Sequence, residues 1–259
     1  IDLANGYRAR GDHTEAAKRL LSIVKDWPES AQAHYCLGLA LADQRWHGEA
    51  IAPLSRAVEL HQEEPRYRCA LARSLVALHQ QDEALAQLRL ASASAQARGG
   101  ELLEIGRILE EMGRPEDALG AYRQGLEKEQ RAELYYQAFR VLRLLRRPQD
   151  AAASLRAALA LGERASWQNE LGELLEDEGE AAEALPCFQR ALQLEPQEPI
   201  YHRNVGVALE RLNRYEAARE ALQEALRLRP DYKDALGHLA SVTAKITLER
   251  EVKKRLSQD

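Results

Sequence analysis

Three arginines recur at nearly one interval: Arg73, Arg107 and Arg140 stand 34 and 33 residues apart. A guanidinium offers its donors as a planar fork that meets a carboxylate with two parallel hydrogen bonds, a geometry the point charge of lysine lacks. Evenly spaced forks on one surface would grip an extended anionic segment rather than transform it. A further 33 residues along stands Glu173, where the sign reverses. The doublets Glu176/Asp177 and Glu110/Glu111 are solvated helix faces far more often than acid–base dyads. His34, Cys36 and Cys69 have soft-metal character, but packing and surface roles account for them better. No glycine-rich phosphate loop, nucleophile elbow or zinc-type histidine pair occurs. The residues therefore predict no enzyme, no cofactor and no metal.

Those side chains need a scaffold, and the composition restricts its kind. With 45% apolar and 30% charged residues among 259, the composition is ordinary for a folded soluble protein and excludes wholesale disorder. Ala, Leu, Glu, Gln and Arg dominate while Gly and Pro are few, which favours an all-helical chain. A net charge of −5 argues against nucleic acid, whose phosphates call for excess positive charge. Arginine greatly outnumbers lysine, as coding bias in a GC-rich bacterial genome would produce. Cys36, Cys69 and Cys187 have neither disulfide nor zinc spacing, so the redox compartment stays open. No apolar run is long enough to span a membrane, and no signal peptide is visible. The chain opens on Ile1 within a helical pattern, so it is expected to be a segment of a longer protein. Bacterial cytoplasm and periplasm both remain open.

The recurrence extends well beyond the arginines. Ala16, Ala50, Ala84, Ala118, Ala151, Ala184 and Ala218 form a column at intervals of 33 or 34. Four residues later stand Leu20, Leu54, Leu88, Tyr122, Leu155, Phe188 and Leu222. Twelve residues before each alanine is Ala4, Gly38, Ala72, Gly106, Phe139, Gly172 or Gly206. Offsets of three, four and seven fall on one helix face, so each unit predicts two amphipathic helices. Gly11, Gly48, Gly113 and Gly179, or polar residues such as Gln80 and Gln81, mark the break between them. Small columns allow close backbone approach and bulky ones fill the groove. Pro28, Pro65, Pro196 and Pro230 are expected to close the units. One hairpin cannot bury its own faces, so neighbours must stack.

The pattern Leu37-Gly38-x-x-Leu41…Ala50-x-x-x-Leu54-x-x-Ala57 resembles the tetratricopeptide repeat, as does Leu171-Gly172-x-x-Leu175…Ala184-x-x-x-Phe188-x-x-Ala191-Leu192…Pro196. The resemblance spans seven units, approximately 1–30, 31–64, 65–98, 99–131, 132–164, 165–198 and 199–231. Residues 232–259 read as a capping helix, with Leu236, Leu239, Ala240 and Ile246 covering the last unit and a charged, solvated extension from Glu249 to Arg255. It implies an all-α, right-handed superhelical solenoid of antiparallel helix pairs. Phe139 stands where a small residue is usual and is followed by Arg146-Arg147-Pro148, so local packing there is expected to differ. The weak helix formers from Ala91 to Gly100 suggest a hinge or an ordinary turn.

In this family the first helix of each pair lines the concave surface. Applied here, the inward positions fall eighteen, fifteen, eleven, eight and seven residues before the alanine column. They carry Arg66, Arg73, Leu103, Arg107, Tyr136, Arg140 and Arg143, then Glu173, Glu176 and Asp177. The resemblance thus implies a non-catalytic protein-interaction scaffold whose groove has a basic middle and an acidic flank, taking an extended, acidic protein or peptide. Two other readings are a polysaccharide-export or polysaccharide-binding module and the non-catalytic arm of a larger enzyme such as a transferase. Simple solvation of a helical surface, or quenching of the arginines by Glu110 and Glu111, would leave no groove site. No three consecutive units supply the lysine and asparagine set of the family's carboxylate clamp, which is therefore not expected.

Overall fold

The structure is a computed structural model that describes residues 1–256. Among them are fifteen helices and no strand. The first members of the pairs are α1 (Asp2–Ala9), α3 (Ala31–Asp43), α5 (Pro65–Ala77), α7 (Gly99–Glu111), α9 (Ala132–Leu144), α11 (Ala165–Asp177) and α13 (Pro199–Arg211). Alternating with them are α2 (His13–Asp26), α4 (His47–Leu60), α6 (Gln81–Ala93), α8 (Pro115–Lys128), α10 (Pro148–Leu161), α12 (Ala181–Leu194) and α14 (Tyr215–Leu228). A final helix, α15 (Lys233–Leu256), closes the order. The chain divides into two compact units, one ending at Leu145 and the other starting at Arg146. The first holds α1 to α9 and the second α10 to α15.

Local chemistry sets the helix boundaries. Asp12, Ser30 and Glu64 accept backbone N–H bonds from Glu15, Ala33 and Arg66 at the starts of α2, α3 and α5. Pro65, Pro115, Pro148 and Pro199 occupy the first helical position of α5, α8, α10 and α13, where a missing N–H costs nothing. Pro65 thus opens a helix rather than closing a unit, whereas Pro28, Pro196 and Pro230 follow the ends of α2, α12 and α14.

The first helices share one ending. In α3, Arg45 N donates to Ala42 O at 2.9 Å and Trp46 N to Leu41 O at 3.0 Å, the double bond of a Schellman turn. The same pair of bonds ends α1, α5, α7, α11 and α13. The turn residue is left-handed at Gly11, Arg45, His79, Gly113, Arg146, Gly179 and Asn213, five positions before the alanine in every unit. Gly48, read from the sequence as a break, lies inside α4; Arg45 makes that turn with φ 65°.

The columns become packing. All seven column alanines are fully buried. A β-carbon on Gly172 would lie 2.5 Å from Phe188, and one on Gly206 would lie 2.7 Å from Leu222. Gly38 and Gly106 are closed in the same way by Leu54 and Tyr122, so the small residue exists to admit the bulky one. The second helix of each pair then packs on the next first helix, as α4 does on α5 and α12 on α13. Phe139 in the small column is fully buried, and the boundary between the units follows six residues later. The stretch from Ala91 to Gly100 lies within the first unit: its first residues end α6, its two glycines open α7, and the turn between them is tied. Ser94 Oγ donates to Glu63 O at 2.6 Å, and Ala97 is buried. On α15 the buried residues are Ala235, Val242 and Ile246, while Leu236 and Ala240, expected to cap, are exposed.

Candidate partner-binding faces

In the first unit the arginines stand on three successive first helices, Arg73 on α5, Arg107 on α7 and Arg140 on α9. Each is held by a neighbour. Arg73 Nη2 lies 3.3 Å from Glu104 Oε1 on α7, and Arg107 Nη2 lies 2.7 Å from Glu133 Oε1 on α9. Glu133 also accepts from Gln137 Nε2 at 2.9 Å, and Gln137 Oε1 accepts from Arg140 at 2.7 Å. Thus Arg140 meets a neutral amide where the other two meet carboxylates. Arg73 and Arg107 remain 53% and 47% exposed, so each pair contributes only about 0–1 kcal/mol. Arg73 and Arg107 are therefore paired with Glu104 and Glu133, while Arg140 has no carboxylate in direct contact among the described residues. Glu110 accepts the Tyr122 hydroxyl, whose pKa rises through burial and that carboxylate.

The other predicted members differ among themselves. Arg66 folds back onto Glu64 of its own helix start, Nε to Oε1 at 2.8 Å, and this hydrogen bond holds the Glu64 carboxyl below the usual range. Arg143 lies 5.6 Å from the Phe139 ring centroid, and Tyr136 lies 5.8 Å from the same ring. Leu103 is buried and adds little surface. His34 and Cys36 are engaged locally, by Pro28 O and by Gln32, and burial pushes the Cys69 thiol up. Among the described residues no group of His, Cys, Asp and Glu could hold a metal ion.

Beside Arg73 is a cavity of 330 Å³ lined by Tyr35, Leu39, Ala70, Ser74, Arg73 and Glu104, with Asp43, Arg45 and His47 also on its wall. Burial raises the Tyr35 phenol to about 12, so it is a neutral donor at physiological pH. Asp43 is fixed by Arg8 at 2.8 Å. Sequence reasoning missed this cavity although its signal was present: Tyr35, Leu39 and Asp43 occupy the inward offsets of fifteen, eleven and seven before Ala50.

In the second unit the acids are largely drawn into the helix layer. Glu173 accepts from Asn169 Nδ2 at 2.8 Å and from the fully buried Asn204 at 3.4 Å, and Asn204 also donates to Asn169 Oδ1 at 2.7 Å. Glu176 is buried, with Arg211 Nε 3.3 Å from its carboxylate. Burial raises its pKa, against the pull of Arg211 and Arg203. Only Asp177 is exposed. A further acid, Glu210, receives His238 and Lys245 at 2.8 Å and Ser241 at 2.7 Å, all from α15. Burial would raise Glu210, but those three hydrogen bonds outweigh it and the pKa falls.

A family model described as tetratricopeptide repeat matches residues 1–65, 103–170, 136–199 and 169–233. No curated relative matches by sequence. Among solved structures, the C-terminal part of a repeat-containing protein from Cytophaga hutchinsonii is similar over 92% of this chain and 98% of that one, with a TM-score of 0.71 at 14% identity. PilF of Pseudomonas aeruginosa is similar over 83% and 98%, with a TM-score of 0.55 at 20% identity. The MamA protein is similar over 65% and 93%, with a TM-score of 0.57 at 19% identity. At these identities the likeness extends to the fold. Among the described residues, no helix is long and apolar enough to cross a membrane.

Proposed function

This chain belongs to the tetratricopeptide-repeat family of protein-interaction scaffolds, and from that premise we propose that the first-helix face of its first unit binds an extended, acidic peptide segment without catalysis. The observation that supports this reading is the row Arg73, Arg107 and Arg140 on successive first helices beside the cavity at Tyr35. Arg140 has the neutral Gln137 for a partner and offers a first site to a carboxylate. Arg107 and Arg73 follow by exchange, a peptide carboxylate replacing Glu133 and then Glu104 at little cost because those pairs are half solvated. The cavity suits one apolar or aromatic side chain of the same segment. The buried acids of the second unit are read as structural.

The test is fluorescence anisotropy with labelled extended peptides of matched length that are acidic, neutral or basic. The acidic peptide should bind best, and more weakly as salt rises. Arg107→Glu combined with Arg140→Glu should abolish that binding and leave helicity and melting temperature unchanged. Equal affinity for all three peptides, or undiminished binding by the folded double variant, would remove the proposal.

A further inference from the structure

We propose that the second half of α15 pairs antiparallel with the same helix of a second copy of this chain. The first half is anchored: Val242 and Ile246 are buried, and His238, Ser241 and Lys245 bond Glu210 on α13. Glu210 is one residue from the end of α13, yet α15 continues through Leu256, about 16 Å past Lys245 at the α-helical rise. Along this continuation Leu248, Val252 and Leu256 are 61%, 47% and 73% exposed. Spaced by four, they form one apolar stripe along the helix.

The charges beside the stripe identify what covers it. Glu249 and Glu251 precede Val252, whereas Lys253 and Arg255 follow it. In an antiparallel pair centred on Val252, Leu248 of one copy faces Leu256 of the other. Glu249 and Lys253 flank one side of Val252 and Glu251 and Arg255 the other, while Arg250 and Lys254 stand on the opposite side of the helix from Val252. Across the twofold axis Glu249 therefore meets Lys253 and Glu251 meets Arg255. A parallel pair would set acid on acid and base on base. The segment is complementary to itself in one orientation. Its small area makes the association weak and concentration-dependent.

Sedimentation velocity from about 1 to 200 µM should show the mass rising from monomer towards dimer. Glu249→Lys with Glu251→Lys should raise the dissociation constant at least about tenfold. Adding Lys253→Glu and Arg255→Glu to that same chain should restore self-association, because the reversed helix is again self-complementary. Circular dichroism of each variant checks that α15 still forms. A monomer across the whole range overturns the proposal, including one that instead co-sediments with phosphatidylserine vesicles and so assigns the stripe to a membrane surface. A dimer indifferent to the first substitution pair, or not restored by the second, overturns it too.

Discussion

A left-handed backbone angle costs a residue with a β-carbon about 1–2 kcal/mol, and four of the seven turns that follow a first helix carry such a residue. His79 is exposed with φ 62°, so His79→Gly should stabilise the chain by about 0.5–1 kcal/mol in urea unfolding. Asn213→Gly should gain less, since asparagine tolerates this region. No gain at His79 would mean that its side chain earns back the strain. Glu176 makes a second case at this scale. Its carboxyl is raised by burial, so its contribution to stability is fully present below the ordinary glutamate pKa and is lost as pH rises through the folded value. Glu176→Gln should therefore melt higher than the parent at pH 7, and the advantage should vanish on acidification below the ordinary glutamate pKa. A constant difference across pH would show that ionisation of Glu176 is not the cause.

Among the elements, what was legible in the sequence was whatever repeats along a single chain. The alanine, glycine and bulky columns follow from the 3.6-residue period, so the alternation of helices and the buried faces could be read directly. The left-handed turn was legible as glycine at Gly11, Gly113 and Gly179, but at Arg45 no residue type announces it and Gly48 misdirects. The partners of the arginines were less accessible still. Glu104 sits fourteen residues before its alanine and Glu133 eighteen, so which acid faces which arginine depends on the stagger between neighbouring first helices. That stagger has no signature in any one helix. Leu103 and the acids of α11 illustrate a related gap: an offset fixes the angular position on a helix but not how far the neighbour covers it.

Within each of the two units, stacking means that each helix leans chiefly on its neighbours in the order. Ala184→Glu places a charge in a fully buried column and should cost on the order of 3 kcal/mol. In a nearest-neighbour array the damage should also be graded. Hydrogen exchange should accelerate most in α11 to α13 and least in α1 to α4; uniform acceleration would show that the chain unfolds as one cooperative block. The paired arginines carry a consequence of another kind. Glu104 and Glu133 are ligands the protein already owns, permanently present at high local concentration beside Arg73 and Arg107. If the face binds an acidic peptide as proposed, a guest carboxylate must exchange with these residents at Arg73 and Arg107, so one acid arriving alone gains only the fork of Arg140. Several acids on one strand, arriving together, can evict both. The face would thus respond to the number of acidic groups in a row, with a threshold set from within.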